Sequence, residues 1–259
     1  MEIELTIEER KKIQLEMLKE IDDFCIRNNI KYSLAFGTLL GAIRHKGFIP
    51  WDDDVDIMMP LPDMLKFKKT FNSNYMKYCD VDTEKHYEFD FSRIANTKTY
   101  NKCGIAYKSY GLSIDLYPII NIPSCKEEQD SFFLKAEEHQ NKRLFLRKWR
   151  GRIIRRLPLS TIYGFDSSVR KQRDYMLKTI PYGSTNTYYV VAGPISIRSK
   201  MIYDFDPFNS MIKVCFEGYE FSAIENYDKF LSLRYGNYMQ LPPISERVPY
   251  HGGSFFWKS

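Results

Sequence analysis

The chain has 259 residues but no Cys-x-x-Cys pair, and its five cysteines (Cys25, Cys79, Cys103, Cys125, Cys215) stand singly and in odd number. A zinc ribbon and a disulfide framework are thereby excluded, and reduced thiols point to a cytosolic protein. No stretch approaches the roughly 20 apolar residues of a membrane span. The expectation is a soluble protein, or one peripheral to the inner face of a membrane. The opening MEIELTIEERKKIQLEMLKEI is charged and lacks the apolar region of a signal peptide. Internal repeats and low-complexity linkers are also missing. Nor is there a large excess of one charge: the net +5 does not by itself call for nucleic acid. What the chain does have is 44% hydrophobic and 15% aromatic residues, which excludes disorder and allows a sizeable core.

Periodicity divides the chain. Thr6-Ile7-Glu8-Glu9 is a capping box. Ile13, Met17, Ile21 and Phe24 then mark one helix face, which Asn28-Asn29 ends. Tyr32–Phe36 predicts a strand, and Gly37-Thr38 opens a short helix through LLGAIR. A loop, HKGFIP, leads to a strand at Asp54–Met58. Alternation predicts further strands at 87–94, 103–107 and 112–117, with a turn from Lys108 to Gly111 and with Pro118 and Pro123 closing the region. Residues 126 to about 180 are helical and charged, and the last third is mixed. One α/β domain accounts for this order. Its parts are an N-terminal helix (1–30), a sheet core (31–125), a basic helical segment (126–180) and a substrate-binding part (181–259).

The most unusual stretch is GFIPWDDDVDI, residues 47–57, with Asp52, Asp53, Asp54 and Asp56 beside an apolar run. In a strand, residues i and i+2 share a face. Asp52, Asp54 and Asp56 would then align roughly 6 to 7 Å apart, with Val55 and Ile57 turned to the core. Like charges that close raise each other's proton affinity, and a divalent cation removes the conflict. Mg²⁺ is usually held by one or two carboxylates plus substrate phosphates. A calcium loop fails, because Ile57 stands where that loop requires glycine and Asp63 where it requires a bidentate Glu. The plain alternative is a solvated acidic turn. The Gly37-Thr38 helix start argues against it, since free N–H groups there and the positive end of the helix dipole bind phosphate.

The order strand, Gly-Thr, short helix, basic loop (Arg44, His45, Lys46), Asp-x-Asp strand is the layout of the nucleotidyltransferase fold, a mixed β-sheet flanked by helices (α/β, or α+β). FGTLLGAIRHKGFIPWDDDVDI (36–57) closely resembles the signature of the LicD family, which includes fukutin and fukutin-related protein. GLSIDLYP (111–118) is similar to its second motif. FEGYEF (216–221) and YGNYMQLPP (235–243), followed by Arg247 and His251, resemble its C-terminal blocks. Leu116-Tyr117 and Tyr250 depart slightly from the usual residues.

That resemblance implies transfer of a substituted phosphate from a CDP-linked donor, CDP-choline in bacterial members and CDP-ribitol in fukutin-type ones, to a sugar hydroxyl, with release of CMP. The acceptor would be a cell-surface glycan such as lipopolysaccharide or capsule, or its lipid-linked precursor. It further implies Mg²⁺, or Mn²⁺ in its place, as two ions. Asp54, Asp56 and Asp115 are then the catalytic and metal-holding carboxylates, with Asp52 in support. Gly37 and Thr38 would hold donor phosphate. Arg44 and Lys46, and after them Arg93, Arg247 and His251, would face the substrate. Glu217 could pair with a cation or hold a loop. A choline head would need aromatic faces, for which Trp51, Tyr117, Tyr235, Tyr238 and Trp257 stand near the motifs. The rivals are an Asp-x-Asp glycosyltransferase using a nucleotide sugar, nucleotidyl transfer to protein or RNA, and a non-catalytic binding module. The intact carboxylate set argues against the last.

KRLFLRKWRGRIIRRLP (142–158) interleaves basic and apolar residues. It reads as a membrane-surface segment that would meet a lipid-linked acceptor, or as a solvated helix; nucleic acid is not expected. The membrane reading predicts salt-sensitive sedimentation of the protein with anionic liposomes. Absence of binding selects the solvated helix.

Overall fold

The structure, a computed structural model, describes residues 4–84, 87, 89–101, 111–153, 165–192, 195–248 and 253–258, with only the backbone at 142–153 and 165–166. The expected strand at 103–107, the turn beginning at Lys108, the end of the basic stretch and His251 lie outside these residues.

Helix α1 (Ile7–Arg27) begins with the expected capping box: the Glu9 N–H donates to Thr6 Oγ1 (3.2 Å) and the Thr6 N–H donates to Glu9 Oε2 (2.8 Å). Its core face is Met17, Leu18, Ile21 and Cys25, with Ile13 and Phe24 at the margin. Next come β1 (Ser33–Leu34), α2 (Phe36–Arg44), β2 (Val55–Pro60), α3 (Leu61–Thr70), β3 (Met76–Cys79), β4 (Ser92–Asn96), β5 (Thr99–Asn101) and β6 (Ser113–Asn121). Two helices follow, α4 (Lys126–Ile153) and α5 (Phe165–Lys178). The last third holds β7 (Tyr188–Val190), β8 (Ile202–Tyr203), β9 (Met211–Phe216), β10 (Tyr219–Ile224), α6 (Tyr227–Tyr235) and β11 (Phe255–Trp257). Among the described residues, no helix is long and apolar enough to cross a membrane.

The mixed sheet runs β1-β2-β6-β4-β3, and β7 extends the far end of β6 and carries β8. Strands β2 and β6 pair in parallel, and β4 joins β6 antiparallel. Both central strands are buried, so Val55, Ile57, Ile114 and Leu116 form the heart of the core. A β9–β10 hairpin leans on β1, where the Ile224 N–H donates to Ser33 Oγ (3.0 Å). At the termini, β11 pairs with β5 and the Leu5 N–H reaches Phe255 O (2.8 Å).

Three expected boundaries move, each for a structural reason. β1 is cut short because α2 already starts at Phe36. The strand expected at 87–94 occupies 92–96: β3 ends at Cys79, opposite Arg93, and offers no partner upstream of that pair. There Asp90 accepts instead from Gln172 Nε2 of α5 (3.1 Å). And β6 continues through Pro118 to Asn121. Proline is tolerated because it falls in the gap between β4, paired up to Leu116, and β7, paired from Ile119. Only its carbonyl is used, accepting from the Val191 N–H (3.0 Å).

Helix α5 is pinned to the β3 end of the sheet through Asp82, which accepts from Arg170, Arg173 and Lys68. The Arg173 hydrogen bonds, and then Lys68, hold the Asp82 carboxyl well below the usual carboxylate range. Asp82→Asn is therefore expected to lower stability by about 1–2 kcal/mol at neutral pH, discounted because the side chain is 35% exposed. A depressed folded pKa contributes fully above the unfolded value of about 4 and is lost as pH falls through the folded one. In urea titrations the gap between wild type and variant should accordingly shrink as pH drops below about 4.

Candidate active site

In the β2–β6 register Asp56 lies opposite Asp115, and on β4 Arg93 lies opposite Asp115. Three strands thus present a row of two carboxylates and one guanidinium on one face. Neighbouring strands are about 4.8 Å apart, so the two carboxylates are adjacent. Asp56 is 7% exposed and Asp115 9%. Arg93 grips Asp115: Nη2 donates to Oδ2 at 3.1 Å, and Nε stands 2.7 Å from Oδ1. The same guanidinium stacks on Phe89 at 3.9 Å. Two residues further along β6, the Tyr117 hydroxyl donates to Asp56 Oδ1 (3.2 Å) and lies 3.5 Å from Asp115 Oδ2.

The remaining aspartates reach this row from a loop. Because β2 starts at Val55, strand periodicity does not align Asp52 and Asp54 with Asp56, contrary to expectation. A turn does the work: the Asp52 N–H donates to Ile49 O (2.9 Å), and the Asp53 N–H donates to Asp52 Oδ1 (3.2 Å). Asp52 comes to rest against the first turn of α2, where a Cβ on Gly37 would meet its Oδ2 at 2.6 Å. A side chain at that position would push the carboxylate aside. Thr38 is buried, and its Oγ1 accepts from the Asp56 N–H at 2.8 Å. In this geometry the hydroxyl positions Asp56 from behind.

Burial first, then the negative charges of Asp54, Asp115 and Asp52, raises the Asp56 pKa well above the carboxylate norm. For Asp52, burial followed by the charge of Asp54 pushes the pKa up to about 7. The group is short of positive charge, which a divalent cation would supply. Among the described residues, however, no three His, Cys, Asp or Glu side chains form a cage able to hold a metal alone. The adjacent Asp56–Asp115 pair fits instead a hard cation that takes one or two protein carboxylates and completes its shell with phosphate and water.

The other expected site residues divide. Arg44 is a clamp: Nη1 donates to Tyr238 O (2.6 Å), joining the end of α2 to the C-terminal block. Arg247 donates to Pro242 O (3.0 Å) and lies over the Trp51 ring (5.4 Å). Lys46 is exposed and has a positive φ of 61°. Of the aromatics, Tyr117 is at the carboxylates. Tyr235 feels the charges of Asp56 and Asp52. Tyr238 donates to Asp228 (2.7 Å) and Trp257 is in β11, so both serve elsewhere.

Glu217 holds a loop. With Gly218 it forms the two-residue tip of the β9–β10 hairpin, at φ 52° and 79°, the left-handed pair of a type I′ turn. Its N–H donates to Lys46 O (2.9 Å) and its Oε1 accepts from the Phe48 N–H (2.9 Å). A Cβ on Gly47 would meet that Oε1 at 2.2 Å. The hairpin tip therefore grips the loop that leads into the aspartates. The available signal was the Glu-Gly dipeptide between two alternating strands.

Comparison with known proteins gives two kinds of match. The sequence model of the LicD/FKTN/FKRP nucleotidyltransferase domain matches residues 29–160. The lipopolysaccharide cholinephosphotransferase LicD of Haemophilus influenzae is 27% identical over 273 residues, covering 95% of this chain and 96% of that protein. An uncharacterized protein of Rickettsia typhi is 44% identical over 64 residues, only 24% of this chain and 21% of its own.

Thr38→Val should leave the buried Asp56 N–H without its acceptor and cost about 1–3 kcal/mol, whereas Thr38→Ser should restore most of it. Urea unfolding midpoints of the two variants check this.

Proposed function

The chain belongs to the LicD family, and from that premise we propose that it is a phosphotransferase that moves phosphocholine from CDP-choline to a sugar hydroxyl of a glycan, releasing CMP. The observation that carries the reading is the buried Asp56–Asp115 pair, side by side on parallel strands and spanned by the Tyr117 hydroxyl. The full-length similarity to a lipopolysaccharide cholinephosphotransferase supports phosphocholine as the group and a surface glycan or its lipid-linked precursor as the acceptor.

In this reading Asp56 and Asp115 hold Mg²⁺, with Asp54 and Asp52 in support. The ion, when bound, supplies charge neutralisation for the donor phosphates. The acceptor oxygen bonds to the choline-bearing phosphorus as the bond from that phosphorus to the CMP oxygen breaks. The hydroxyl proton passes to a carboxylate of the pair. Phosphoryl transfer needs positioning and electrostatics more than covalent help. Positioning is what Arg93, Tyr117 and Thr38 supply: Arg93 fixes the Asp115 carboxylate, Tyr117 that of Asp56, and Thr38 the Asp56 backbone. The free N–H groups at the start of α2, next to Gly37, face donor phosphate, and Lys46 lies near the departing CMP. Tyr117 and Tyr235 offer aromatic faces that suit a quaternary ammonium.

With Mg²⁺ and a sugar acceptor, the purified protein is expected to release CMP from CDP-choline. Asp56→Asn and Asp115→Asn should each reduce that release on the order of 10³-fold without changing the far-UV CD spectrum. Full activity in either folded variant refutes the assignment. Stabilisation in thermal melts by UDP-sugars but not by CDP compounds would favour a glycosyltransferase.

A further inference from the structure

Three of the four arginines around the site are committed. Arg93 is bound to Asp115, Arg44 to the Tyr238 carbonyl and Arg247 to the Pro242 carbonyl. Arg234, in the last turn of α6, differs. Among the described residues no carboxylate lies within ion-pair distance of it. Its Nε is buried and, among the described residues, has no hydrogen-bond partner. The guanidinium carbon rests 5.8 Å from the Phe36 ring and 5.7 Å from the Tyr235 ring. Phe36 meets Tyr117 edge-on at 5.1 Å, and the Tyr117 hydroxyl bonds Asp56. Tyr235 feels the charges of Asp56 and Asp52.

The Phe36 and Tyr117 rings thus stand in series between Arg234 and Asp56. The helix dipole favours a cation in a final turn, yet it does not explain a buried N–H with no acceptor. An anion arriving from outside would supply one. Guanidinium binds phosphate in a planar two-point fashion that lysine cannot reproduce. Phe36 backs it at a backbone φ of +41°, a conformation that non-glycine residues rarely adopt and that functional sites often retain.

We propose that Arg234 grips the diphosphate of the nucleotide donor. This rests on the preceding reading that the donor is a nucleoside diphosphate derivative. It adds a residue outside the four sequence motifs and assigns phosphate binding to Arg234 in place of the committed arginines. Binding of CDP, cytidine and inorganic pyrophosphate to the full-length protein, measured calorimetrically with Mg²⁺, tests it. Arg234→Gln should weaken CDP and pyrophosphate by about 10-fold or more, with cytidine unchanged. Arg234→Lys, which keeps the charge and guards against a folding defect in the first variant, should fall between. Unchanged CDP and pyrophosphate affinity in a folded Arg234→Gln protein, or equal weakening of cytidine, overturns the proposal and leaves the donor reading standing. Wild-type protein that binds neither CDP nor pyrophosphate overturns the donor reading and the proposal with it. Binding of pyrophosphate but not CDP, weakened by Arg234→Gln, corrects the base and supports Arg234.

Discussion

The site depends on one backbone register, the parallel pairing of β2 with β6 that sets Asp56 beside Asp115. Strand geometry makes that pairing all or nothing, because a slip of one residue turns every side chain to the opposite face. Val55, Ile57, Ile114 and Leu116 are fully buried on the other side, so a slip would drive carboxylates into the core. The hydrophobic face thereby enforces an arrangement that its charges alone would oppose. Two adjacent carboxylates repel, and the fold offsets this with Arg93 on the next strand and hydrogen bonds from Tyr117.

Much of this was legible in the chain. The capping box at Thr6, the face of α1, the short helix after Phe36 and the strands carrying Asp56 and Asp115 all follow from spacing and local chemistry. What failed was whatever depends on a distant neighbour. Asp52 and Asp54 reach the site through a turn closed on Ile49, which period-2 alternation cannot foresee. Pro118 looked like a terminator because the break between β4 and β7 on that edge is a property of the assembled sheet. Alternation at 87–94 was real, but β3 ends too early to pair with it.

The basic residues taught the same lesson more sharply. A sequence shows that Arg44, Arg93 and Arg247 stand near the motifs but not what each one faces. In the fold all three find carbonyl or carboxylate partners, and Thr38 bonds the backbone of Asp56. Much of the polar chemistry around the site thus holds the site itself in place. Precise placement matters in phosphoryl transfer, where displacements of an ångström are costly.

The grip of the Glu217–Gly218 hairpin tip on residues 46–48 joins segments about 170 residues apart in the chain. Closing so long a loop costs entropy before any contact rewards it, so such contacts tend to form late. During synthesis the two halves also emerge at different times. The central strands can be complete while the approach to the aspartates still lacks its anchor. Competence of the charged centre is thereby coupled to the arrival of the last third of the polypeptide, and a prematurely ended chain would carry the acidic motif without its support.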